Sequence, residues 1–242
     1  MLEPANWRGS VRGRTDWQRP YWLNGGVSHR VEDVSDAKTT TIDGSINIRP
    51  PGSFSASIRG RLNWSTSDRQ YLSSTTVGDS LYYLFGRIDR QELSTTIRFD
   101  VALTSRMSFE LYAEPFLSAG EYDSFRLVAD PRADIYSDRF DPLGNDRLVR
   151  PGDGEVVEID VNRDSEVDFY LTEPDFRVVS LRTNAVLRWE FSPGSTLFLV
   201  WQQSRRDHTQ VGRLDFGDAF GDVFTTPGTN SIAMKVAYWL GS

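Results

Sequence analysis

The chain contains no cysteine among its 242 residues. Disulfide frameworks and thiolate metal centres are thereby excluded. Histidine is almost as scarce, with His29 and His208 far apart in sequence. A Ser-His-Asp triad needs a base held between nucleophile and orienting carboxylate, and nothing in the spacing places either histidine in one. No run of about 18 apolar residues occurs, so no membrane-crossing helix is expected. Mean hydropathy is −0.44. Phosphate-binding glycine loops are lacking too, because "YWLNGG" at Tyr21–Gly26 has no strand–turn–helix context. The opening "MLEPANWRGS" carries neither a basic segment nor an apolar stretch behind it. The expectation is a fragment whose targeting signal lies elsewhere.

Charge is uneven. The formal net charge is −7, yet residues 119–175 hold 16 Asp and Glu against 6 Arg. One acidic segment carries the whole imbalance, and repulsion from phosphate disfavours nucleic acid as its partner.

What the sequence has is period-two alternation, the mark of strands with one wet and one apolar face. Strands are predicted near 6–16, 20–32, 38–49, 53–66, 82–104, 107–118, 177–191, 195–206 and 229–240. Short turns at Asp16–Arg19, Pro50–Gly52, Ser105–Met107 and Ser192–Gly194 alternate with longer connections at 33–37, 67–81, 119–176 and 207–228. In an up-and-down sheet that order sorts short turns to one end and long loops to the other, as in outer-membrane barrels. Predicted strands of about 10–14 residues exceed the usual 5–6 of soluble sheets and match a tilted bilayer crossing. The fold class expected is therefore all-β, an antiparallel up-and-down transmembrane barrel. A single domain spans 1–242, with 119–176 as a long acidic outer loop. Nine strands are an odd number, whereas bacterial single-chain barrels are even, so a partial barrel from the C-terminal part of a longer chain is expected, with a closed eight-strand barrel plus an extra edge piece as the alternative.

The faces separate by parity. Polar residues expected to look into the lumen are Asp43, Arg59, Arg61, Arg98, Asp100, Glu110, Glu114, Arg182, Arg188, Glu190 and Lys235. Residues expected to meet lipid, or to form an aromatic belt near the short turns, are Trp17, Trp22, Phe54, Phe99, Leu111, Leu187, Trp189, Phe191 and Tyr238. Tight turns would set Asp43 opposite Arg59, Arg98 opposite Glu114, Asn184 opposite Gln202 and Glu190 opposite Thr196.

No catalytic residue is singled out. Glu110 and Glu114 share a face, but four strand residues separate them by roughly 13 Å, too far for a glycosidase pair. In "DVNRDSEVD", Asp160, Asn162 and Asp164 match the first three ligands of a calcium loop. Ser165 and Leu171 then stand where Gly and Glu belong, which excludes an EF-hand. A looser calcium site built from Asp160, Asn162, Asp164 and Asp168 is the one metal expectation, against a plain solvated acidic loop.

The stretch "LRTNAVLRWEFSPGSTLFLVWQQSR", preceded by "EPDFRVVS" and followed by "NSIAMKVAYWL", resembles the C-terminal domain of a family of bacterial outer-membrane proteins. Their N-terminal half looks like a family-nine carbohydrate-binding module. "YLFGRIDRQELSTTIRFDVALTSRMSFELYAEPFLSAGEY" and "PYWLNGG" fit the same family, so the resemblance runs roughly from Trp17 to Leu240. It implies a barrel wall, an outer-membrane address, the bilayer and the barrel-assembly machinery as partners, and no reaction. Glycans or small polar solutes would be the cargo. The binding module and signal peptide are missing here, and Gly241–Ser242 run past the usual last strand. Two other readings stand beside this one: a soluble glycan-binding sandwich using aromatics such as Trp64 and Trp201, and a carboxylate-dependent glycan hydrolase.

Overall fold

The computed structural model describes residues 4–151 and 156–240; Gly241 and Ser242 lie outside them. Among the described residues, thirteen strands form in chain order: β1 (Asn6–Arg14), β2 (Tyr21–Glu32), β3 (Lys38–Ile48), β4 (Phe54–Val77), β5 (Ser80–Thr104), β6 (Met107–Val128), β7 (Phe140–Pro142), β8 (Leu148–Val149), β9 (Val156–Ile159), β10 (Phe169–Thr172), β11 (Phe176–Ser192), β12 (Ser195–Thr209) and β13 (Gly228–Ala237). One α-helix, α1 (Phe216–Thr225), follows β12.

The main sheet is an antiparallel meander in the order β1-β2-β3-β4-β5-β6-β11-β12-β13, with β7 attached to β6. All nine predicted strands are present. The sheet does not close into a barrel: β1 and β13 are free edges.

The sorted connections expected from the sequence appear with two differences. Residues 67–81 are not a loop. β4 and β5 continue as a hairpin to a tight turn at Gly78–Asp79, where Gly78 takes φ +57°, a left-handed value that glycine adopts without a Cβ penalty. Bulges at Ser67/Gln70 and Tyr71/Ser73 bend this extension. Its residues "SSTT" do not alternate in polarity, so period two carries no strand signal there.

The acidic segment is not a solvated loop either. β6 runs on to Val128, a 3-10 turn occupies Ser137–Arg139, and β10-β9-β8 form a small separate sheet. Val157 and Ile159 from β9 are fully buried against Leu84, Ile88, Tyr122, Phe125 and Leu127 of the long hairpins. At about 25 cal/mol per Å² of apolar area, such burial outweighs the repulsion among solvated surface carboxylates. We call this packed unit the cap.

Helix α1 is the second core. Asp215 caps it, its side chain accepting from the N–H groups of Gly217 and Asp218. Ala219 and Val223 are fully buried against Leu117, Val179 and Leu181.

Candidate functional site

The register assigns every strand residue to one of two faces. One face is apolar over a broad band. Successive cross-strand rows read Leu23–Ile46–Ile58–Ile97–Ala113, then Ile48–Ala56–Phe99–Leu111–Ala185–Trp201–Ile232, then Phe54–Val101–Phe109–Leu187–Leu199–Met234. Below them comes Met107–Trp189–Leu197–Val236. The band stops at the row Lys38–Thr66–Asp89–Glu121. Among the described residues of β1 to β6 and β13, no Asp, Glu, Lys or Arg lies on this face between those limits; on β11 and β12, Arg177, Arg205 and Asp207 do, all above the row of Ile58, with Arg177 paired to Asp222 of α1 and Arg205 donating to the Thr226 carbonyl. Along β4 the band runs from Phe54 to Trp64. Ten residue steps are about 34 Å along the strand, which a tilt of about 40° reduces to roughly 25 Å.

Among the described residues, only α1 covers this face, at its upper edge on β6 and β11. The rest is open, with Ile46 50% exposed, Ile58 47% and Met234 70%. Phe54, Phe99, Leu111, Leu187 and Trp189 lie on it as expected. Trp17 is exposed in the first turn, and Phe191 stacks on Tyr238 at 6.4 Å beside Trp189. Trp22 departs from the expectation. It pairs with Asn47 and so lies on the opposite, polar face.

That polar face holds all eleven ionisable residues expected to share a side. Two of the four expected cross-strand pairs form, Asn184 with Gln202 and Glu190 with Thr196. The other two slip by one pair. Asp43 meets Arg61 rather than Arg59, because Pro50 and Pro51 have no N–H to continue the β3–β4 ladder beyond Ile48–Ala56. Arg98 meets Tyr112 rather than Glu114, because a bulge at Ala102/Thr104 leads into a two-residue turn at Ser105–Arg106. Its guanidinium stacks 5.4 Å over the Tyr112 ring, and Glu114 meets Arg182 instead. Asp100 sits directly opposite Glu110, a like-charge pair.

The cap sits at the long-connection end of the same polar face, since Ile88 has the strand parity of Arg90 and Glu92, and Tyr122 that of Ser118. Arg147, 5% exposed, holds the cap together. It donates to the Asp160 and Val161 carbonyls at 3.1 and 2.9 Å and pairs with Asp141 at 2.8 Å. The Tyr136 hydroxyl donates to Asp68 at 2.7 Å, tying the cap to β4. Burial first, then this bond to Asp68, pushes the Tyr136 phenol well above its ordinary value.

The expected calcium ligands make hydrogen bonds within their own turn. Asp160 accepts from the N–H groups of Arg163 and Ser165 at 2.6 and 2.9 Å, and Asp168 from Val161 at 2.7 Å. Asn162 accepts from the Asp164 N–H and donates to the Asp164 carboxylate, both at 2.9 Å. These side chains close a turn in which Arg163 and Ser165 take positive φ. Among the described residues, no group of three or more His, Asp or Glu side chains is placed to hold a metal ion. Burial acts to raise the Asp160 carboxyl, but the backbone bonds from Ser165, Arg163 and Asn162 outweigh it and hold it below the usual range. Glu173 and Asp175, where the cap joins β11, are both raised, chiefly by burial.

Among the described residues the two histidines are not brought together. The His29 ring bonds Thr40 at 2.9 Å on β2, while His208 lies on β12 opposite Val178. Trp64 and Trp201 are on β4 and β12, four strands and eight residue steps apart in register, roughly 33 Å, on the apolar face and in no shared cleft.

A family model described as "Domain of unknown function (DUF5916)" matches residues 1–241. No curated protein and no solved structure matches the chain.

Proposed function

We propose, from the premise that the chain belongs to the family described as "Domain of unknown function (DUF5916)", that it is part of the wall of a transmembrane β-barrel in a bacterial outer membrane. One observation carries the reading: an apolar band crosses the sheet, no second layer among the described residues covers its lower rows, and the ionic side chains of those rows lie on the other face. A soluble sandwich would pack those rows against a second sheet. In lipid the open face is satisfied and the ionic face needs enclosure.

Enclosure also answers the free edges. Unpaired N–H and C=O groups in hydrocarbon cost several kcal/mol each, so spanning sheets close. Nine alternating strands leave β1 and β13 running the same way, and a direct join between them would be parallel. An antiparallel closure takes an odd number of further strands between the two edges. The chain then acts as anchor or pore of a carbohydrate-related envelope protein, inserted by the barrel-assembly machinery, and supplies no catalytic group.

The test is extraction and gel migration of the full-length protein. A detergent-dependent, heat-modifiable band is expected. Unchanged migration together with full solubility in detergent-free buffer would overturn the reading.

A further inference from the structure

The polar face has a sign, and the sign is opposite to that of the whole chain. Take its rows in turn. Arg12, Asp43, Arg61 and Arg206 occupy one, reached through Gly26, Ser94, Phe116 and Ser180. The next links Arg14 to Arg59 on one side and Glu114 to Arg182 on the other. Then Arg98 stands alone among Ser57, Tyr112, Asn184 and Gln202. The Asp100–Glu110 row is an acidic exception, as are the outlying rows of Glu92 and Glu190, which carry one carboxylate each. Arg188 and Lys235 follow, both paired with Phe198. Cations exceed carboxylates in four of the five rows between those of Glu92 and Glu190.

The cations are also available. Among the described residues, Arg59, Arg61, Arg98, Arg182, Arg188 and Lys235 have no carboxylate oxygen within 4.0 Å. Their neighbours are mostly Ser, Thr, Asn and Gln, which neutralise nothing. Guanidinium forks match oxyanions and halides better than they match any cation.

We propose that this face, once enclosed, passes small inorganic anions in preference to cations. The inference rests on the barrel-wall reading. The acidic cap does not reverse it. Phe176 packs against the cap core and Arg182 lies six residues further down β11, which is about 20 Å. That is twice the screening length of about 8–10 Å at ordinary salt, so the basic rows set the local potential.

The experiment is reversal potential in planar bilayers of neutral phosphatidylcholine, with the full-length protein under a potassium chloride gradient. Chloride is expected to permeate more readily than potassium, by roughly two- to fivefold. In the quadruple variant Arg59→Ser, Arg61→Ser, Arg182→Ser, Arg188→Ser the ratio should fall to one or below. Heat-modifiable migration of each sample reports folding independently. A folded, inserted protein that prefers potassium or carries no current overturns this inference and leaves the wall reading standing. A variant that keeps the chloride preference overturns it as well. A protein that neither inserts nor shows heat-modifiable migration removes the wall reading and this inference with it.

Discussion

Single side chains decide how the cap responds to mutation and to pH. Arg147 satisfies two buried carbonyls and a carboxylate at once. Arg147→Met leaves Asp141 and both carbonyls without that partner, and breaking such a buried arrangement costs about 3–5 kcal/mol. Limited proteolysis should then cut within the cap while the main sheet stays intact. Titration acts in two opposite directions. Asp160 is held low, so its contribution is present at neutral pH and fades only as pH falls below the unfolded carboxylate value of about 4. Glu173 and Asp175 are raised, so their charged forms cost the folded state. The cap–β11 junction is therefore firmer below the unfolded value and loosens as pH rises through the raised ones. Amide exchange should show Tyr122 and the strand start at Phe176 better protected at pH 4.5 than at pH 7.5, with the Asp160–Asp168 turn unchanged over that interval. Equal protection at both values would contradict this.

At the scale of elements, legibility followed solvation. Strands with one dry face announce themselves by alternation, and β1, β2, β3 and β11 to β13 were placed to within a few residues. The β4 half of the β4–β5 extension is polar on both sides through Ser73–Thr76, so it leaves no period to detect, whereas the β5 half alternates, with Leu84 and Ile88 buried under the cap. Helix α1 did leave one: Phe216, Ala219, Phe220, Val223 and Phe224 follow helical spacing behind the capping Asp215. Gly217 and Gly221, each costing about 1 kcal/mol in a helix interior, obscure it. Packing against Leu117 and Val179 offsets that cost. Val223→Ala should destabilise the helix by about 2 kcal/mol, and Asp215→Ala by about 1 kcal/mol. Helix-specific loss of amide protection reports both, and α1 should open before the strands beneath it.

For the whole molecule the question is which medium each face meets. If the apolar band meets lipid, Trp189 and Trp201 should be quenched by brominated acyl chains and Trp22, on the polar face, should not. Single-tryptophan variants separate the three, and equal quenching at Trp22 would count against the assignment of faces. Ile58→Arg, near the middle of the band, should cost about 2–4 kcal/mol in a bilayer. Thr41→Arg, on the polar face opposite Asn63, should cost far less. Equal costs, measured by chemical denaturation in lipid vesicles, would contradict a lipid-facing band.

The sequence by itself determined the antiparallel meander, the sorting of connections and the division of side chains between two faces. Each follows from a local period of two, which any strand must obey. Only the tertiary structure decided the register after a proline pair or a bulge, the packing of the acidic segment into a cap and the seat of α1. Those depend on where backbone donors run out and which apolar surfaces find one another, and such contacts join residues far apart in the chain.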